Sequence, residues 1–570
     1  MKKALAMLAG LTLAVSCLAG CSGGTDSSTA APGGTGLDGN SQVPADQVTL
    51  ENNCYSANFP IAKDQTTLKI MVKDYSGLTD YTNMAINQWV KDNMNIVLDW
   101  IIVPGGWEVN NQATLAYTSG DLPDIFMGMA PLGYDFHWEH IEAGDIWDLT
   151  PYLTKYAPNV IKMFQEVPQA EYLCKGYDGN IYMLPMARNY DNDTGRYASS
   201  LIINTTWLDN LGLDVPTTTT EFRDVLRAFK TGDPNGNGIA DEIPLELDFD
   251  NNRVGLPNGA YGAFGMPVYY ELTYVDDEGT VHYAPIEDNY RRCLTYYRDL
   301  FREGLVDPDW YNQDMTAVRQ KANGPVSTIG AFFGGAESLV SLERFVDEYA
   351  IIPPLSDDQG NCTWTCQYTE SIWPEWFMVT KACKYPEIAV RFADYFYSVE
   401  GSYTALYGPP GEDKIWYVGE DKLVHFTESE DGRSIEERAY EYTPGYPMPH
   451  FRGKDFMAAE YKETDESKMT LREKIGRQNE QKMLEYYEPV MPKNPLNKSK
   501  SSLEDMLTSN MIRSEINDLQ YTSRKDFLLG TASIENEWDR YISNMKRFEV
   551  DTYIEIMQKS YDDYQAWLNG

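Results

Sequence analysis

Between Asp233 and Glu242 the chain reads DPNGNGIADE, with oxygen donors at alternate positions. Counted from Asp233, Asn235, Asn237, the Ile239 carbonyl and Asp241 fill positions 3, 5, 7 and 9 of a calcium-binding loop. Gly238 stands at position 6, where such a loop turns sharply. Position 12, which normally carries a bidentate Glu, is Pro244, and Glu242 is the nearby carboxylate. Three carboxylates and two amides in so short a run repel or compete unless a cation gathers them. So many flexible oxygens suit Ca²⁺ better than the smaller Mg²⁺. The competing reading is a hydrophilic turn, since Pro, Gly and Asn all favour turns. With no second loop and no paired helix hand, an ion here would act as a structural clamp and not as a sensor.

A second chemistry lies at Cys21. Lys2 and Lys3 precede the apolar run Ala4–Gly20, which ends Leu18-Ala19-Gly20-Cys21. A basic start, an apolar stretch and small residues at the cut make an export signal. The Cys directly after Leu-Ala-Gly fits bacterial lipoprotein processing, with cleavage before Cys21 and acylation of its thiol. A plain signal or an uncleaved anchor is the alternative. Acyl chains at about 0.8 kcal/mol per buried CH₂ would hold the protein on a membrane. Residues 22–47, rich in Gly, Ser, Thr, Pro and Asp, read as a flexible tether. With 47 basic against 86 acidic residues the net charge is −39, which argues against nucleic acid as a partner.

Other reactive residues form no set. His137 and His140 stand three apart with no further ligand cluster beside them, which is weak support for zinc. Cys54, Cys174, Cys293, Cys362, Cys366 and Cys383 show no CxxC pattern. Cys362 and Cys366 could pair across a small loop, with buried free thiols as the alternative. No GxSxG, P-loop or HExxH occurs, and 86 acidic residues make carboxylate pairs by chance.

The elements that must position these groups alternate in type. TTLKIMVKDY (66–75) has strand alternation, a helical stretch covers Tyr81–Met94, and NIVLDWIIV and residues 124–128 read as further strands. That order predicts a parallel sheet with helices on its faces. A second unit opens with a strand at Tyr197–Asn204 and a short helix broken by Gly212 and Pro216. Thr218 and Glu221 then form a capping box before a helix whose Phe222, Val225, Leu226 and Phe229 share a face. VSTIGAFFG and YAIIPP read as strands of this unit. Pro386 and Gly401 bracket a helix as start and stop, and residues 427–502 read as loops and surface helices. Near the end, Trp538, Tyr541, Ile542 and Met545 share one helical face, and Ile554, Met557, Tyr561 and Tyr564 another.

The ordered set TSGDLPDIFMG, GDIWDLTPYL, GYDGNIYMLP, NTTWLDNLGLDVPTTTTEF, FREGLVDPDW, KYPEIAVRFADYFYSVEG and SIENEWDRYISNMKRF resembles extracellular solute-binding proteins of ABC importers, family 1, in the lipoprotein LplA-like branch. The resemblance implies an α/β, two-lobed periplasmic-binding-protein-like fold of type II, its lobes joined by crossover hinge segments and closing on a sugar. The expected division is signal 1–20, tether 21–48, first lobe 49–190 and 373–480, and second lobe 191–372 and 481–570. Crossovers are expected near Met186–Tyr197 and Glu370–Glu375, with a return between Tyr440 and Pro495. The family's variant of the calcium loop surrounds the ion with Asp233, Asn235, Asn237, the Ile239 carbonyl, Asp241 and Glu242. LYGPPGEDKIWY departs from the family's yGiEG element, so no ligand role is copied to it.

Sugars offer apolar CH faces to aromatic rings and hydroxyls to polar partners. Loops after strands of an open α/β sheet are the places to look. The candidates are Asp74 and Tyr75 after the first strand, Trp107 in PGGWE, Arg188, Asn189 and Tyr190 in the first crossover, Trp310 after VDPD, and Trp373 and Trp376 flanking the second crossover, each with core packing as the competing role. The implied function is a non-enzymatic receptor, lipid-anchored on the extracellular face of the membrane, that hands an oligosaccharide to permease subunits. The alternatives are a secreted hydrolase or lyase, and a sugar-sensing or adhesive lipoprotein.

Overall fold

The computed structural model describes residues 43–570, apart from 79, 106–107, 130–133, 190–199, 248–255, 269–271, 311–312, 314, 336–338, 365–369, 428–432, 434, 495–499 and 570. The signal, the tether up to residue 42, Cys21, Trp107, Tyr190 and Cys366 lie outside the described residues.

Ten strands build two sheets: β1 (Thr66–Lys73), β2 (Ile96–Val103), β3 (Ile125–Met127), β4 (Met183–Asn189), β5 (Ser200–Asn204), β6 (Ile243–Glu246), β7 (Ile329–Gly334), β8 (Tyr349–Ile351), β9 (Glu370–Val379) and β10 (Phe451–Arg452). The first sheet has the order β10-β4-β9-β3-β1-β2. β1 pairs in parallel with β2 from Thr66↔Ile96 to Lys73↔Val103, and in parallel with β3. β9 runs antiparallel to both β3 and β4. The second sheet, β8-β5-β7-β6, is antiparallel except for β7 with β6. Each sheet carries its own hydrophobic core, so the fold is two-lobed α/β.

Core membership follows the chain's crossings. Residues from Cys54 to Ala187 and from Ile372 to Ala405, with Met448 and Phe451, pack in the first core. Leu201 to Trp364 and Ile475 to Tyr553 pack in the second. The helix Leu471–Tyr486 therefore belongs with the second core, ahead of residue 480.

Local chemistry explains most boundaries. The helix expected from Tyr81 begins at Ala85, because Asn87 Nδ2 donates to the Tyr81 and Thr82 carbonyls and holds that stretch as a turn. It ends at Asn95, whose φ of +59° puts it in the left-handed region. Asn204 caps the helix Thr205–Leu211, which Gly212 terminates at φ +65°. The Thr218–Glu221 capping box is formed at the start of the helix Thr219–Thr231.

Two expectations need correction. Gly401 does not end the helix begun by Pro386. That helix stops at Tyr395, and Gly401 lies inside a second one, Val399–Tyr407, capped by Ser398. A Cβ there would collide with the Tyr395 carbonyl, so close packing and not termination demands the glycine. The stretch 427–502 is not all surface: Thr443, Met448 and His450 are buried, and Phe451–Arg452 joins the first sheet as β10. The charged residues on either side hide a strand of two residues.

Candidate functional site

β9 carries the central device. Trp373 pairs with Met186 of β4, yet Phe377 pairs with Leu184, so four residues of β9 advance against two of β4. Pro374 sits in this irregularity, where its missing N–H breaks no ladder bond. Trp373 and Trp376 thereby come together, with ring centroids 6.3 Å apart and planes at 53°. With Met186 and Tyr75 they form a small aromatic cluster separate from the two lobe cores.

Tyr75 arrives on the loop after β1. Asp74 shapes that loop, its Oδ1 accepting from Ser76 N–H (2.9 Å), Ser76 Oγ (2.8 Å) and Tyr81 OH (2.8 Å). Burial opposes ionisation of Asp74, but these hydrogen bonds prevail and hold its carboxyl below the usual range. Asp74 thus positions Tyr75, whose ring lies 5.5 Å from Tyr446 and 6.3 Å from Trp376, with Lys73 Nζ 4.2 Å from its centroid.

Tyr446, which sequence reasoning missed, comes from Gly445–His450. Its ring stands nearly perpendicular to Trp376 at 5.4 Å. Trp376 is 2% exposed and donates Nε1–H to the Met448 carbonyl at 3.3 Å, whereas Tyr446 is 41% exposed and Tyr75 and Trp373 are half-buried. Gly128, at φ +65°, has no Cβ to collide with Pro447, which lets this segment lie across the end of β3. The available signal was an aromatic in a Gly- and Pro-flanked loop, the same rule that selected the other candidates.

Polar groups flank the rings. Arg188 follows Met186 by two residues on β4 and so shares its face; its backbone partners are Ser371 on β9 and Arg452 on β10. His450 is fully buried, and its Nδ1 contacts the Met448 carbonyl at 2.9 Å, which fixes Nδ1 as the donor. Burial, with help from Arg452 and Arg188, lowers its pKa to about 4, so it stays neutral. Arg452 Nε is buried without a hydrogen-bond partner. Asn189 is buried at the end of β4 on the opposite face. Trp310 lies elsewhere: it is 4% exposed in the second core, 5.1 Å from Phe301. Half-exposed rings beside cationic and neutral donors can stack on a polyol and bind its hydroxyls. They mark no nucleophile and no acid–base pair.

The loop 233–242 joins the helix Thr219–Thr231 to β6. Asp233 (φ +48°), Gly236 (+68°) and Gly238 (+73°) turn it back on itself. Asn235 Nδ2 and Asn237 Nδ2 both meet Asp241 at 3.1 Å, and Gly238 N–H meets Asp233 at 3.2 Å. The Ile239 carbonyl accepts from Asp241 N–H. Among the described residues no three His, Cys, Asp or Glu form a group able to hold a metal. The donors here are instead mixed carboxylates, amides and a carbonyl. Glu242 Oε1 is buried with no partner, and burial together with the Asp241 and Asp233 charges raises the Glu242 pKa. An orphaned carboxylate oxygen beside like charges fits the donor set of a hard cation.

The two His of residues 137–140 do not make a site. His137 is fully buried and lowered by burial to about 3, while His140 stacks on Tyr117 at 3.5 Å and contacts Asp145 at 3.0 Å. The described cysteines, Cys54, Cys174, Cys293, Cys362 and Cys383, are free. No described helix is long and apolar enough to cross a membrane.

Known proteins share this architecture. The chain is 26% identical over 523 residues to the fructooligosaccharide ABC transporter substrate-binding protein FusA of Streptococcus pneumoniae serotype 4, covering 90% of this chain and 93% of that one. An EF-hand mutant of S. pneumoniae FusA in complex with fructo-nystose superposes with a TM-score of 0.74 at 24% identity, over 88% of this chain and 99% of that one. An HMO-binding, ABC-transporter-associated solute-binding protein of Bifidobacterium longum infantis gives 0.69 at 21%, with the same coverage. The family model described as "Bacterial extracellular solute-binding protein" matches residues 75–403. Family match and two-lobed fold agree: the chain belongs to the bacterial extracellular solute-binding proteins.

Proposed function

We propose that this protein is the lipid-anchored receptor of an ABC importer, capturing an oligosaccharide between its lobes and presenting it to permease subunits. The observation that carries this reading is the graded aromatic set. Trp376 forms a buried base, Tyr75 and Trp373 are half-buried, and Tyr446 is open to solvent, with Arg188, Arg452 and neutral His450 alongside. The sugar-binding activity named for FusA supports the same ligand class. The lobes of this reading are the two packed cores. On this reading the crossings would lie between Ala187 and Leu201, between Trp364 and Ile372, and between Phe451 and Ile475.

Calorimetric titration with short fructans and other neutral oligosaccharides tests the proposal. One of them is expected to bind and to compact the protein in solution scattering without turnover. Trp373→Ala is expected to weaken that ligand about tenfold or more while leaving the melting temperature within a few degrees. Release of cleavage products would establish the hydrolase or lyase alternative instead.

Two further parts belong to this proposal. Asp233, Asn235, Asn237, the Ile239 carbonyl, Asp241 and Glu242 would hold Ca²⁺, which would relieve the repulsion at Glu242 and fix the loop. FusA has an EF-hand, as the name of its mutant states. Chelation is expected to lower the melting temperature by several degrees, and Ca²⁺ but not Mg²⁺ to restore it. Cys21 would carry the acyl chains that retain the protein on the outer face of the membrane. Cys21→Ser is then expected to release it into the medium.

A further inference from the structure

The second lobe buries a positive charge with no counter-charge. Arg524, on the helix Leu503–Leu529, is 4% exposed, and among the described residues no carboxylate lies within ion-pair distance of it. Its one hydrogen bond is from Nη1 to the Tyr261 hydroxyl, long at 3.4 Å, and its guanidinium lies 5.2 Å from the Tyr521 ring. Nε–H is buried with no acceptor. Beside it, Tyr541, on the helix Ile534–Arg547, is 4% exposed, and its hydroxyl is likewise buried without a partner. Phe527, one turn after Arg524 on the same helix, has its ring 5.9 Å from that of Tyr541, which sets the two groups on facing helices.

Both orphans are donors. A buried guanidinium is tolerated when an anion or a full set of acceptors replaces its water. Tyrosine hydroxyls and ring faces supply only part of that. The surroundings are closed on other sides: Tyr261 and Tyr290 stack at 5.8 Å with planes 7° apart, and Gln520 Nε2 donates to the Tyr290 hydroxyl at 2.6 Å. Nearby charges are engaged elsewhere: Arg291 lies 6.0 Å from the Trp538 ring, and on the helix of Tyr541 Glu535 is taken by Arg298 at 2.6 Å and Glu537 by Arg540 at 3.0 Å.

We propose that Arg524 and Tyr541 form a buried site for a small monovalent anion, chloride in an extracellular setting. One N–H, one O–H and a full positive charge in a tyrosine-walled core match a monatomic anion, which is cheaper to dehydrate than a carboxylate or phosphate. The anion would tie together four helices: Asn258–Gly262 with Tyr261, Asp288–Arg302 with Tyr290, Leu503–Leu529 with Arg524, and Ile534–Arg547 with Tyr541. It is independent of the sugar site and of the calcium loop.

Thermal melts of the whole protein in sodium chloride, sodium bromide and sodium gluconate at matched ionic strength test this. The wild type is expected to melt several degrees higher in either halide than in gluconate. Tyr541→Phe, which keeps the ring, is expected to need about tenfold more chloride for the same shift. Arg524→Met is expected to lose the halide dependence altogether. A crystal soaked in bromide is expected to show an anomalous peak within contact distance of Arg524 Nε, a readout that does not depend on any variant folding. Identical melts in chloride and gluconate, a halide shift that survives in Tyr541→Phe unchanged, or the absence of bromide at Arg524 would each overturn the site and leave a buried water to bridge the two donors.

Discussion

At the scale of single residues, Glu246 and His282 each tie stability to pH. Glu246, the last residue of β6, is fully buried, and Gln313 Nε2 lies 3.2 Å from its Oε2. Burial first, then the hydrogen bond and charge of Asp307, push its pKa from 4.5 up to about 9. Glu246 therefore keeps the proton, while Lys321 Nζ, 2.8 Å from Asp307 Oδ2, helps hold Asp307 ionised. Between the two pKa values the folded state holds a proton that the unfolded state has released, so stability falls as pH rises through that window. Glu246→Gln is expected to melt higher than wild type at pH 8, by on the order of 2–4 kcal/mol, and to match it near pH 5. His282 acts in the same direction. Glu287 Oε1 at 2.7 Å and Asp276 Oδ2 at 2.9 Å flank its ring and raise its pKa from 6.5 to about 9. Its stabilising charge is complete below pH 6.5 and is lost as pH rises through about 9. His282→Gln is expected to flatten the melting profile only above pH 6.5, which separates it from Glu246; equal slopes in both variants would contradict these assignments.

At the scale of elements, packing can reverse a local propensity. Ala in place of a helical Gly ordinarily stabilises by about 0.5–1 kcal/mol. At Gly401 the new Cβ would run into the Tyr395 carbonyl, so Gly401→Ala is expected to destabilise, by roughly 1–3 kcal/mol in chemical denaturation. Thr218→Ala removes the hydroxyl that accepts Glu221 N–H and is expected to cost about 1 kcal/mol. The capping box was legible from the sequence because it is made within four residues. The true role of Gly401 was not, because the atom it avoids belongs to the preceding helix after a sharp turn. The irregularity in β9 is of the second kind: Pro374 hints at a break, but the meeting of Trp373 with Trp376 depends on how β4 is registered against it.

For the whole molecule, the lobes touch through the helix Pro168–Cys174, whose Cys174 Sγ also reaches the Pro374 carbonyl of β9 at 4.0 Å. Tyr172, on the first-lobe helix Pro168–Cys174, lies 5.5 Å from Tyr564 and 4.8 Å from Trp567 of the C-terminal helix Val550–Asn569. Tyr177 OH approaches Met506 Sδ at 3.6 Å, and Lys500 Nζ lies 4.8 Å from the Tyr177 ring. Burial lowers the Lys500 pKa to about 8. An aromatic pair of this kind contributes roughly 1 kcal/mol. Trp567→Ala is therefore expected to enlarge the ligand-free protein in solution scattering and to change sugar affinity up to about fivefold without touching the site. Unchanged scattering would show that this contact does not bias the lobes.

The sequence by itself determined what depends on neighbours in the chain. It carried the strand–helix alternation, the Thr218–Glu221 capping box, the donor spacing of loop 233–242 and the ordered elements that resemble solute-binding proteins. It also named Tyr75, Trp373 and Trp376, which the fold packs with Met186 into one cluster, and Arg188, two residues beyond Met186 on β4. Tertiary structure alone decided that Trp310, flanked by the same kind of loop, turns into the second core. It decided that Tyr446 and His450 reach the site from a segment that reads as surface, and that Arg524 is buried among tyrosines. The physical reason is the range of the interactions. Capping and periodicity are set over a few residues of backbone, whereas which face of a sheet or helix meets which partner is set by contacts between segments hundreds of residues apart.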